Sequence, residues 1–139
     1  MTFQEKLKRL TNIIQGLKDV HNKNLVHRDF HSGNILNSEI QSFITDLGLC
    51  KPADEINKEE EIYGVLPYVA PEVLRKKGYT PASDIYSLGI VTYEIFANAS
   101  PYLDQEYDNV LAVKTCRGLR PNIDEVKIPQ LLKDLIKKC

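Results

Sequence analysis

The sequence predicts an α+β domain that is mostly α, and three observations carry that expectation. Phe3, Leu7, Leu10, Ile14, Leu17 and His21 recur at steps of three and four residues, which puts them on one stripe of a helix. The segment TPASDIYSLGIVTYEIFANAS, from Thr80, is apolar nearly all round, as befits a helix in the middle of a domain. Between the two lie apolar runs of only a few residues, NLV, NIL and SFIT, bounded by turn-forming residues.

In chain order, the first helix is expected from the N-terminus to about Val20, and NKNLV reads as a turn followed by a short strand. NIL and SFIT, on either side of NSEIQ, read as a small hairpin-like pair. From Asp46 to about Tyr68 no period holds: Gly48, Pro52, Gly64 and Pro67 interrupt it, and Glu59-Glu60-Glu61 form an acidic run. A long surface loop is expected there, and such loops are usually functional or disordered. Pro71 can open a short helix through Leu74, stopped by Gly78. The apolar helix follows near Asp84, with Ile85, Leu88, Ile90, Val91, Tyr93, Ile95 and Phe96. Residues 105–116 and 129–138 read as two amphipathic helices joined by RGLRPNID.

Composition narrows the function classes without naming one. The 139 residues give room for one domain core, and a net charge of -1 with 42% hydrophobic residues describes an ordinary globular segment. No surplus of Lys and Arg is present to neutralise phosphates, so neither nucleic acid nor a membrane surface is expected as a partner. Cys50, Cys116 and Cys139 are odd in number and contain no CxxC pair, which argues against zinc and against a disulfide framework. MTFQEKLKRL lacks the apolar core of a signal peptide, and no run of about 18 apolar residues exists for a membrane span. A cytoplasmic, soluble protein with free thiols is the expectation.

The stretch HRDFHSGNIL, residues 27–36, concentrates polar side chains in front of an apolar pair. Taken in order, His27-Arg28-Asp29, Asn34, Asp46-Leu47-Gly48, Ala70-Pro71-Glu72 and Asp84-Ile85-Tyr86-Ser87-Leu88-Gly89 resemble the signature of the C-terminal lobe of eukaryotic protein kinases. The resemblance covers essentially all 139 residues, so one partial protein kinase domain is expected over 1–139. It implies a protein kinase-like fold, the large C-terminal lobe without the N-terminal β lobe, with ATP, Mg²⁺ and a protein substrate as partners.

In-line phosphoryl transfer needs a carboxylate to accept or orient the hydroxyl proton and oxygen ligands to hold Mg²⁺ against the phosphates. Asp29, Asn34 and Asp46 are spaced so that they could converge. By resemblance Asp29 is the catalytic base, Asn34 and Asp46 are the metal ligands, and His31, Asn34, Leu36 and Asp46 belong to the nucleotide site. The resemblance also makes His27, Glu72 and Asp84 structural: His27 packs against the position of Leu47, and Asp84 receives backbone hydrogen bonds from the catalytic loop. The plainer alternatives are that Asp29 and Asn34 satisfy loop backbone groups, that Asp46 is a turn Asp before Gly48, and that Asp84 complements a helix dipole.

The sequence departs from the family pattern in several places. Arg28 belongs to the class that pairs with a phosphorylated loop residue, yet between Leu49 and Leu66 only Tyr63 carries a hydroxyl. Phosphorylated Tyr63, the carboxylates of Glu59 to Glu61, or nothing at all could meet Arg28. The position two after the catalytic Asp, usually Lys in Ser/Thr-specific kinases, is His31, and Val65 stands where those kinases carry Thr. His31 is shorter than Lys and mostly neutral at pH 7, hence a partial substitute. The nearest match is the tyrosine-kinase-like branch, with Ser or Thr favoured over Tyr as acceptor.

No G-x-G-x-x-G, no V-A-I-K-like strand and no hinge precede the first helix, so the smaller lobe is expected to be absent and the 139-residue chain to show negligible transfer alone. LLKDLIKKC resembles a helix that continues into an Arg paired with the Glu at the Glu72 position; here Glu72 is expected to lack that partner, at a typical cost of about 3 to 5 kcal/mol. An exposed apolar face is expected where the other lobe would dock. Three readings follow: part of an enzyme, a non-catalytic kinase-like module that binds proteins near Tyr68 to Glu72 and the helix from about Gln105, or a fragment without function of its own.

Overall fold

The structure is a computed structural model that describes residues 1–55, 61–62 and 64–139. It is mostly helical, with two two-stranded pieces, in keeping with the α+β class. Helix α1 (Phe3–Asn22) starts at Thr2, whose hydroxyl accepts from Glu5 N at 3.2 Å while Glu5 Oε2 accepts from Thr2 N at 2.6 Å. This reciprocal cap satisfies two of the helix's free donors. Lys6, Leu10, Ile13 and Leu17 are its buried residues, whereas Phe3 and Ile14 are exposed. The inward stripe is therefore rotated from the expected one, because Lys6 turns in to donate to Phe96 O at 3.3 Å, with its ammonium 6.0 Å from the Phe96 ring. The aliphatic stem of a lysine can fill a core position when its head finds a carbonyl.

Strands β1 (Leu25–Val26), β2 (Ile35–Asn37), β3 (Ser42–Ile44) and β4 (Lys51–Pro52) follow. β2 and β3 form the expected hairpin, antiparallel with Ile35 opposite Ile44, Leu36 opposite Phe43 and Asn37 opposite Ser42. β1 pairs with β4, Leu25 opposite Pro52 and Val26 opposite Lys51, so the stretch after Asp46 is not structureless throughout. A two-residue strand is too short to declare a period, and its partner is far away in sequence. Short 3₁₀ turns occupy Leu47–Leu49 and Leu66–Tyr68 in the same stretch.

Helix α2 (Pro71–Leu74) leads to α3 (Pro81–Ala97), capped by Thr80 and Ser83 and ended by Asn98 in the left-handed conformation. α3 contributes Tyr86, Leu88, Ile90, Val91 and Phe96 to one buried cluster that also holds Leu10, Ile13 and Leu17 of α1, and Phe30, Tyr68, Val69 and Val73 complete the core. It is the axis on which the loops hang. α4 (Asn109–Cys116) begins four residues later than its apolar pattern suggests. Asp108 caps it, accepting from Val110 N at 3.0 Å and Leu111 N at 3.1 Å, and a side-chain cap fixes a helix start more sharply than periodicity does. α5 (Gln130–Lys138) closes the chain and lies so close to α3 that a Cβ on Gly89 would come within 2.6 Å of Cys139 Cβ. No helix among the described residues is long and apolar enough to cross a membrane.

Candidate active site

The loop between β1 and β2 is held from below by one carboxylate. Asp84, in the first turn of α3 and 2% exposed, accepts from His27 N at 2.8 Å and Arg28 N at 3.1 Å, and pairs with His21 Nε2 at 2.8 Å. Arg28 adopts a φ of 75°, so the chain turns sharply there and presents two successive N–H groups to the same acceptor. A left-handed non-glycine residue costs free energy and persists where the surroundings over-determine it.

His27 is fully buried and acts as a spacer between two loops. Its Nδ1 accepts from Asp29 N at 3.2 Å and its Nε2 lies 3.1 Å from Thr45 O. The two partners fix the neutral tautomer, with the proton on Nε2. The ring also meets Phe30 edge-on at 5.7 Å. Asn34 stands next to Asp29: its Nδ2 donates to Asp29 O at 2.8 Å and to Asp29 Oδ2 at 3.3 Å. With the nitrogen committed to Asp29, the amide oxygen of Asn34 points the other way.

Asp46 arrives through the hairpin. Because Ile35 faces Ile44, Asn34 faces Thr45, and Thr45 N and Oγ1 both donate to Asn34 O, at 2.8 and 3.0 Å. Asp46 follows directly, exposed, at φ 57° and ψ 63°, with no side-chain capping bond. The structure thus brings Asp29, Asn34 and Asp46 to one end of β2 and β3.

The remaining singled-out residues fall around this centre. His31 lies beside Asp29, Nε2 to Oδ1 at 3.5 Å. Leu36 is 61% exposed and Phe43 opposite it 50%, so the outer face of the hairpin is apolar, and exposed Leu47 adds to it. Arg28 is buried, donates to Leu49 O at 3.3 Å and stacks at 4.9 Å over Tyr79. Glu72 is half-buried in α2. Tyr63, Glu59 and Glu60 lie outside the described residues.

One network was not singled out from the sequence. Tyr68 donates to Glu94 Oε1 at 2.6 Å, and Ser32 Oγ lies 3.0 Å from the same phenol oxygen. Burial pushes the Glu94 carboxyl up from its ordinary range and the Tyr68 phenol far up, the latter reinforced by Glu94. Glu94 Oε2 is buried and makes no hydrogen bond among the described residues. The sequence signal was available: an acidic residue inside IVTYEIF, where an apolar helix has no need of one.

For a metal, the available donors are the Asn34 amide oxygen and the Asp46 carboxylate. No cluster of three or more His, Cys, Asp or Glu that could cage an ion exists among the described residues. One carboxylate and one neutral oxygen suit Mg²⁺, which keeps several waters and takes further oxygens from phosphates, better than a metal held by protein alone.

Residues 1–139 match the family described as protein kinase domain. The chain is 36% identical over 127 residues to the serine/threonine-protein kinase CLA4 of Candida albicans, covering 90% of this chain and 13% of that protein. It is 31% identical over 135 residues to the serine/threonine-protein kinase AtPK1/AtPK6 of Arabidopsis thaliana, covering 95% of this chain and 27% of the relative. With SKM1 of Saccharomyces cerevisiae, also a serine/threonine-protein kinase, identity is 40% over 94 residues, 66% of this chain and 14% of that one. The chain therefore spans only 13 to 27% of the length of these relatives. Their names do not bear out a place in the tyrosine-kinase-like branch.

Proposed function

The chain belongs to the protein kinase family, and on that premise we propose that residues 1–139 are the C-terminal-lobe part of a kinase domain. The polypeptide that carries it transfers the terminal phosphoryl group of ATP to a serine or threonine hydroxyl of a protein substrate. The protein kinase family generally uses ATP and Mg²⁺. The observation that carries the reading is the pair of bonds from Asn34 to Asp29, at 2.8 and 3.3 Å, together with the Thr45–Asn34 bonds that bring Asp46 alongside.

Each residue then has a task. Asp29 accepts or orients the proton of the attacking hydroxyl. Asn34 holds that carboxylate with its amide nitrogen and offers its oxygen, with Asp46, to Mg²⁺. When bound, Mg²⁺ draws charge from the phosphate oxygens. Leu36 presents an apolar surface to the nucleotide, and His31 stands between Asp29 and the phosphates. His27 and Asp84 hold the loop, Glu72 is a structural residue of α2, and the regulatory role falls to Arg28, met by Tyr63 once that residue is phosphorylated, by the Glu59–Glu61 carboxylates, or by neither. The names of the relatives support serine or threonine as acceptor, while His31 and Val65 remain our reason for placing the chain nearest the tyrosine-kinase-like branch. Three cysteines without a disulfide agree with a reducing, cytoplasmic setting.

The test is to incubate the purified native polypeptide with Mg²⁺ and radiolabelled ATP and identify the labelled amino acids. Label on serine or threonine that disappears on chelation of Mg²⁺ is expected; label confined to tyrosine, or none, would count against the proposal. A second reading, a protein-binding module, draws support from the exposed Leu103, Tyr107, Val110 and Val113 around α4. Under that reading Asp29→Ala leaves function unchanged.

A further inference from the structure

His31 is placed to work on Asp29. Its Nδ1 accepts from Gly33 N at 3.1 Å, which leaves the proton of the neutral ring on Nε2. Nε2 lies 3.5 Å from Asp29 Oδ1, an oxygen that is buried and has no hydrogen bond among the described residues. Asn34 holds the other oxygen, Oδ2, at 3.3 Å. The ring packs on Tyr68, centroids 5.8 Å apart. Gly33 completes the arrangement, since a Cβ there would stand 2.9 Å from both His31 Cε1 and Nδ1. Real side chains essentially never come so close, so the imidazole occupies this position because residue 33 has no side chain.

We propose that His31 is a positioning residue: its Nε2–H orients Asp29 for the incoming hydroxyl, and Gly33 is required because it leaves room for the ring. This rests on the kinase reading. At 3.5 Å the contact is longer than a hydrogen bond, as is common for catalytic contacts before substrate is present, and it tightens when substrate seats. The neutral ring has a single donor, and that donor faces the carboxylate. His31 therefore acts on the phosphates through Asp29 and gives up no proton. A lysine at this position would carry three donors and a fixed charge; the histidine exchanges charge for alignment.

The experiment measures kcat and KM for ATP in the native polypeptide, with casein as acceptor, for His31→Ala, His31→Gln, Gly33→Ala and the double variant His31→Ala/Gly33→Ala. A loss of kcat on the order of 10- to 100-fold with little change in KM is expected for His31→Ala, the scale of removing an outer partner of a reacting group. Gln places an amide N–H near the position of Nε2 and should restore most of it. Gly33→Ala should reproduce the loss with the imidazole still present, and the double variant should be no worse than either single one, because both remove one interaction. Unchanged kcat in His31→Ala, additive losses, or no rescue by Gln would overturn the proposal. If the wild type transfers no phosphate, the kinase reading itself has failed. The ring placement is then decided by ¹⁵N NMR of the histidines: a neutral His31 protonated on Nε2, with a resonance that moves in Asp29→Asn, upholds it, and protonation on Nδ1 overturns it.

Discussion

At the scale of the residue, Asp84 carries more structure than any group at the reacting centre. Its carboxylate, buried beneath the loop, accepts two successive backbone N–H groups and meets His21. Truncation leaves those N–H groups without an acceptor, at about 1 to 3 kcal/mol each. We expect Asp84→Ala to lower the unfolding free energy by about 3 kcal/mol or more, and Asp84→Asn, which keeps one acceptor oxygen, to cost less. Urea titration of the two variants measures the difference; equal stability of wild type and Asp84→Ala would contradict this role. His27 repeats the logic with a ring in place of a carboxylate, since its two nitrogens tie Asp29 N to Thr45 O and so hold the Asp29 and Asp46 loops at a fixed separation.

At the scale of elements, the Ser32–Tyr68–Glu94 network joins the loop before β2, the turn before α2 and helix α3. It adds polar ties between elements that also share the hydrophobic core. Glu94 has an ordinary value of 4.5 and is raised in the folded state, chiefly by burial. Its contribution to stability is therefore fully present below pH 4.5 and is lost as pH rises through the raised folded value. Above that value the buried charge opposes folding. Gln keeps an oxygen for the Tyr68 hydroxyl and carries no charge, so Glu94→Gln should melt at a higher temperature than wild type at neutral pH, with the gap closing under acid. Thermal melts across pH test this, and a gap that is the same at every pH would contradict it.

At the scale of the molecule, what could be read from sequence depended on how local the signal was. α1 and α3 declared themselves through sustained patterns, and the β2–β3 hairpin through its turn residues. The rotation of α1 did not, because the stripe holds no hint that Lys6 turns inward to Phe96 O. The β1–β4 pair did not either, since its partners are far apart in sequence, Leu25 with Pro52 and Val26 with Lys51, and each strand has only two residues. For the site, the order of Asp29, Asn34 and Asp46 along the chain was legible as motifs, whereas the Glu94 network and the clearance at Gly33 are facts of three-dimensional packing. Conversely, nothing in the motifs foretold that the Asp29 oxygen left free by Asn34 would face an imidazole.

As we propose it, Asp29 is the reacting carboxylate of a phosphoryl transferase. The most direct measurement is the single-turnover rate of phosphate transfer from radiolabelled ATP by the native polypeptide, wild type against Asp29→Asn. Asn keeps the shape of the side chain and removes the proton acceptor. A fall in rate of about 10²- to 10⁴-fold is expected, the range for a positioned general base. Equal rates in the two proteins would contradict it.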